Sequence, residues 1–175
     1  MTFRDSLAQR SDAIAESWWR RIIESYPAKS ASFFGKQKDP FANPVGQTIV
    51  EASREIVAGI CAGVDPRELR APVERIVKIR AVQDFTPAEA VSFVFQLKPI
   101  VRADEALSAG ADEMLAFEAS IDRLALVAFE CYVACREQIC ELRVNEIKRT
   151  VSTLMRRAAR AGWGDGDAVA PDDEN

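Results

Sequence analysis

Four cysteines and no histidine bound the chemistry open to this chain of 175 residues. Cys131 and Cys135 are spaced one helical turn apart, so on a helix their thiols share a face. Cys140 falls about half a circle further round from Cys131, and Cys61 is remote in sequence. This spacing cannot aim all the thiols at one metal or cluster, and there is no CxxC pair. A free cysteine also behaves as a small buried hydrophobe, the reading preferred here over a redox or ligand-attachment role. The missing histidine removes the commonest general base, the Ser-His and Cys-His nucleophile pairs, most zinc sites and the usual proximal ligand of a haem. No Gly-rich phosphate loop and no nucleophile elbow occur. The carboxylates are those of solvated helix faces. No enzymatic activity, catalytic residue, metal or cofactor is expected.

Three further groups of side chains bear on function. Phe93, Phe95 and Phe117, with Cys131 and Cys135, are candidate lining for a small-molecule pocket, although aromatic residues at helical spacing serve cores first. Arg80, Gln83 and Asp84 alternate with Ile79, Val82 and Phe85 and form a candidate buried polar cluster. If covered, they must pair with each other or with backbone. Of the adjacent Trp18 and Trp19 only one can face a core. Trp18 fits the apolar stripe, which leaves Trp19 to the surface or an interface.

Helices must position these residues. The first is expected over Arg4 to Ser25, with Leu7, Ile14, Trp18 and Ile22 in one stripe and Pro27 closing it. Asp39 to Pro44 contains two X-Pro steps and reads as an ordered loop that Phe33, Phe34 and Phe41 could pin. A second helix, about Val45 to Ala62, has the stripe Val45, Ile49, Ile56 and Ile60, with Gly63 as terminator. Asp65-Pro66 opens the next piece, which Pro72 is expected to divide, leaving a longer run from Val73 to Val82. Thr86-Pro87-Ala88-Glu89 is a helix start: a hydroxyl cap, a proline where no donor is needed, and a glutamate that can reach back. Val91, Phe93, Val94, Phe95, Leu97, Ile100 and Val101 then cover more than one face, so this helix should be buried on several sides. Pro99 should kink or stop it. After a polar connection from Arg102 to Gly110, a long helix begins near Ala111 and meets no proline or glycine before Gly162. Its first half, with Met114, Leu115, Phe117, Ile121, Leu124, Ala125, Ala128 and Tyr132, has the spacing of a core helix. No stretch sustains a period of two, so the chain reads as all-α.

The second half of the long helix differs. Cys140, Val144, Ile147, Val151, Leu154 and Ala158 alternate steps of four and three, a heptad seam, and Arg143, Glu146, Lys148, Arg149, Arg156 and Arg157 fill the outside. A homodimer seam is the preferred reading; the alternative is packing back on its own domain. One helical domain over residues 1–161, followed by an acidic, glycine-containing tail over 162–175 with the composition of disorder, accounts for the whole chain. The tail's five acidic residues outweigh the net charge of -4. The remainder has no broad basic field, so no nucleic-acid partner is expected. The N-terminus lacks an apolar signal region, and the longest apolar-looking run, Leu124 to Cys135, is interrupted by Glu130. No membrane span is expected, and the cytoplasm is the default location.

The run IRAVQDFTPAEAVSFVFQLK, with DPFANPVG at Asp39 to Gly46 and RVNEIKR at Arg143 to Arg149, resembles the N-terminal domain of the RsbR/RsbRD family, co-antagonists in the bacterial stressosome. The resemblance extends from about Trp18 to Arg157. It implies a haem-free, globin-like helical fold that dimerises and acts as a sensor or interaction module. In full-length relatives the last helix leads into a phosphorylated STAS domain, so the seam from Cys140 resembles the root of that linker. No STAS domain occurs in these residues, and the relatives' phosphorylation sites have no counterpart here. The acidic tail favours a free-standing module over a piece of a longer protein. Stand-alone relatives accompany membrane redox complexes in anaerobic sulfate-metabolising bacteria. The resemblance therefore implies a signalling or redox-complex protein partner, and as the alternative role a ligand- or cofactor-carrying accessory of an anaerobic redox system.

Overall fold

Thr2 starts the first helix by a reciprocal cap. Its hydroxyl accepts the Asp5 N–H at 3.2 Å, while the Asp5 carboxylate accepts the Thr2 N–H at 2.8 Å. Two otherwise orphaned donors are satisfied, and the helix begins one residue before the expected Arg4. The computed structural model describes residues 2–27, 31, 34, 43–83 and 85–161. Phe33, Phe41, Asp84 and the acidic tail, which entered the expectations above, lie outside the described residues. Across the described residues the fold is all-α with no strand: α1 (Phe3–Glu24), α2 (Pro44–Ala62), α3 (Arg70–Val82), α4 (Pro87–Ser92), a 3-10 turn (Phe93–Gln96), α5 (Leu97–Arg102) and α6 (Ala111–Arg160). Two compact units divide it, Met1–Arg136 and Glu137–Asn175.

In the first unit α1 packs chiefly on α2, α2 on α3, and α1 also meets α5 and the 3-10 turn. Asn43 caps α2 by accepting the Gly46 N–H at 2.9 Å. Gly63 closes it in the left-handed conformation, φ 75°, where a Cβ would be strained. The stripe residues Leu7, Ile14, Trp18, Ile22, Ile49 and Ile56 are all buried. Pro72 does not divide α3. It occupies the third helical position, inside the first turn, where the missing N–H would have had no partner in any case.

Thr86 and Glu89 form the expected reciprocal cap: the Thr86 hydroxyl accepts the Glu89 N–H at 3.3 Å and the Glu89 carboxylate accepts the Thr86 N–H at 2.9 Å. The helix that follows is interrupted. Pro99 has no N–H for the Phe95 carbonyl and its ring crowds that carbonyl, so the chain tightens into the 3-10 turn one turn upstream and then resumes as α5. Phe93, Val94, Leu97, Ile100 and Val101 are buried as the pattern requires, whereas Phe95 is 44% exposed, with the Lys98 ammonium over its ring.

The first half of α6 completes this core with Phe117, Ile121, Leu124, Ala128, Cys131, Tyr132 and Cys135. Phe117 meets Phe3 edge-on at 6.2 Å. Lys98–Asp122 at 2.6 Å and Arg102–Glu118 at 2.5 Å tie α5 to α6. Leu115, expected in the core stripe, is instead exposed. Among the described residues no helix is long and apolar enough to cross a membrane.

Candidate functional site

From Glu137 onward α6 carries almost no buried surface. Val144, Ile147, Val151 and Leu154 are 48, 62, 47 and 57% exposed, Cys140 is exposed and Ala158 is half-buried. These are the six residues of the heptad seam. At 100° per residue they fall on one side of the helix, with Arg149 and Arg156 roughly opposite. Met155, also exposed, widens the apolar side at its flank, a contribution the strict four-three spacing passes over. A stripe of large aliphatic side chains in water is unfavourable at every residue.

The candidate polar cluster is centred on Arg80, which is 1% exposed. Its Nη1 donates to Ser25 Oγ at 3.0 Å and its Nη2 to the Glu89 carbonyl at 3.1 Å. Its guanidinium lies 4.2 Å from the Phe85 ring centroid, 5.3 Å from Tyr26 and 5.5 Å from Phe93. Arg80 thus joins the end of α1 to α4 from α3. Burial works against its charge and Tyr26 supports it; burial likewise raises the Tyr26 phenol. Gln83 is half-buried, and Arg80 Nε, Gln83 Oε1 and Tyr26 Oη have no hydrogen-bond partner among the described residues.

The five candidate pocket residues are not gathered in one place. Phe93 is fully buried and stacks on Trp18 at 5.8 Å, where the Trp18 indole N–H donates to the Phe93 carbonyl at 2.8 Å. Phe95 faces outward. Cys131 and Cys135 lie in the core on one face of α6, and burial holds both thiols above their ordinary range; Cys61 is pushed up to about 11 by the same cause. Neutral thiols are poor nucleophiles and poor metal ligands. No group of three or more cysteines, aspartates or glutamates among the described residues is placed to hold a metal ion. Trp18 is buried and Trp19 only partly so.

Of the five, Phe117 borders a cavity. That cavity, about 420 Å³, opens where the start of α1, the end of α2 and the first part of α6 meet. Phe3, Leu7, Ile60 and Phe117 form its apolar wall, and Arg4, Asp65, Glu113 and Arg123 bring charge to it. Sequence reasoning missed it because Arg4 and Arg123 come from opposite parts of the chain, with no local spacing to link them.

Residues 12–147 match the family described as RsbT co-antagonist protein rsbRD N-terminal domain. A protein of Archaeoglobus fulgidus, described only as uncharacterized, is 28% identical over 145 residues, covering 82% of this chain and 88% of its own length. No solved structure matches the chain.

Proposed function

The chain belongs to the RsbT co-antagonist rsbRD N-terminal domain family, and from that premise we propose that it is a non-enzymatic signalling module, a haem-free, globin-like homodimer that passes a signal to a protein partner through α6. The observation that carries this reading is the exposed seam. Val144, Ile147, Val151 and Leu154 keep heptad spacing and stand 47–62% exposed. Pairing two such stripes removes eight large side chains from water. The signal would be a change between two packings of that pair, biased by whatever binds one of them better. A sequence without histidine has no usual proximal haem ligand, which agrees with a haem-free domain. The partner is a protein and the compartment the cytoplasm.

The competing role, a redox accessory carrying a ligand on its thiols, draws less support. The two paired cysteines are buried and held neutral. The double variant Val151→Glu/Leu154→Glu tests the seam. Light scattering after size exclusion should give a folded monomer where the unaltered chain gives a dimer. A variant that remains dimeric would remove the seam from the mechanism.

A further inference from the structure

Charge in the second unit is segregated in a way the apolar seam does not use. From Ile147 to Ala161 the sequence holds five cations, Lys148, Arg149, Arg156, Arg157 and Arg160, and no acid. Residues 162–175 hold five acids, Asp165, Asp167, Asp172, Asp173 and Glu174, and no cation. Surface cations of the first unit are commonly matched, as Arg70 is by Glu130 at 3.2 Å and Lys98 by Asp122 at 2.6 Å. None of the five on α6 joins an ion pair among the described residues.

The helix itself answers only part of this charge. Its terminal carbonyls attract cations within the last turn, which covers Arg157 and Arg160. Lys148, Arg149 and Arg156 stand further back, beyond that reach, and neither Lys148 nor Arg156 has an acid three or four residues away to pair with along the helix. Arg149, Arg156 and Arg160 fall on one side of α6, opposite Val151 and Ala158, so pairing of the seam leaves this face open. Lys148, Arg149, Ser152, Thr153 and Arg156 border a groove of about 360 Å³ there.

We propose that this arginine face is the docking surface for the chain's own acidic tail, residues 162–175, with Asp165 and Asp167 toward Arg156 and Arg160 and the Asp172 to Glu174 group toward Lys148 and Arg149. The charges are opposite and equal in number, and the tether permits the contact. Position 149 lies roughly 18 Å back along the helix axis from position 161. The twelve residues from Ala161 to Asp173 reach at most roughly 43 Å. Attachment to the same chain holds the acids at a high effective concentration, so contacts that are individually weak act together.

The test is carbodiimide cross-linking of the full chain, which joins an amine directly to a touching carboxylate, read by peptide mass spectrometry. Lys148 should join Asp172, Asp173 or Glu174 within one chain, as a mixture of isotope-labelled and unlabelled protein will report. The yield should fall severalfold between about 20 and about 500 mM sodium chloride, as the Debye length shrinks from roughly 20 to roughly 4 Å. Backbone amide shifts of residues 165–174 give a second reading. The variant Arg149→Gln/Arg156→Gln/Arg160→Gln, whose glutamines keep helix propensity, should show at low salt the tail shifts that the unaltered chain shows at high salt. Arg54→Gln/Arg67→Gln, two exposed charges in the first unit, should leave those shifts unchanged. An undiminished Lys148 yield in the triple variant, cross-links only between chains, or tail shifts indifferent to salt would each overturn the assignment. So would saturable binding of the unaltered chain to phosphatidylserine vesicles or to a DNA duplex that the triple variant loses, which would give the face to an outside polyanion.

Discussion

Trp18 and Trp19 are neighbours in sequence with opposite structural roles, and replacing each with phenylalanine separates those roles quantitatively. Trp18 is fully buried, stacks on Phe93 and donates its indole N–H to the Phe93 carbonyl at 2.8 Å. Trp18→Phe keeps a ring but leaves that carbonyl without its donor, a loss of about 1–3 kcal/mol. The smaller ring also leaves space in a tightly packed core, for about a further 1 kcal/mol. Together the cost is about 2–4 kcal/mol. A chain of this size loses roughly 3 °C of melting temperature per kcal/mol, so thermal melting followed by circular dichroism at 222 nm should fall by about 6–12 °C. Trp19 is half-buried at the edge of the core, with the Arg20 guanidinium over its face at 5.3 Å. Trp19→Phe should cost less than about 1 kcal/mol. Urea titration with an unchanged slope would confirm that both differences belong to the native state. If Trp19→Phe costs as much as Trp18→Phe, the assignment of the core at α1 is wrong.

Acid should open the α4 cap before the core. The Thr86 backbone N–H and then its hydroxyl hold the Glu89 carboxyl below its usual range. A carboxylate depressed in the folded state contributes stability above its unfolded value and loses that contribution as pH falls through the folded one. The Thr86 amide resonance should therefore titrate with a midpoint below the ordinary glutamate range, and Glu89→Gln should abolish that transition. Thr86→Ala, which removes the hydroxyl cap, should cost about 1 kcal/mol in chemical denaturation. Thiol labelling gives an independent check on the cysteines. At pH 8, in the Val151→Glu/Leu154→Glu variant with its seam uncovered, Cys140 should react with a disulfide reagent at once, while Cys61, Cys131 and Cys135, buried and held neutral, should react only on unfolding. Rapid modification of Cys131 or Cys135 in the folded protein would restore the thiol-based reading.

Features set by residues three or four apart were legible in the sequence. The Thr86–Glu89 cap, the Gly63 terminator and the uninterrupted run of α6 each depend on local chemistry that tertiary packing left unchanged. Proline required more context. Pro72 is harmless because it falls in the first turn of α3, and Pro99 acts one turn upstream of itself, where its ring and missing donor meet the Phe95 carbonyl. The Thr2–Asp5 cap was present as a spacing, with aspartate in place of the more familiar glutamate. Leu115 and Phe95 show the limit of periodicity: apolar residues in a rich pattern need not all find a partner, and these two face water. The burial of Arg80 followed from its apolar neighbours, but its box of Tyr26, Phe85 and Phe93 joins three segments that no spacing connects.

The 3-10 turn at Phe93–Gln96 also sets a length. Each residue there advances about 2.0 Å along the axis against about 1.5 Å in an α-helix, so four residues make the rod from Pro87 to Arg102 about 2 Å longer than an unbroken helix would be. The Trp18 indole N–H donates to the Phe93 carbonyl where that turn begins. The turn is thus a spacer built in by Pro99, and it sets Ile100 and Val101 about 2 Å further from Pro87 than an unbroken α-helix of the same residues would.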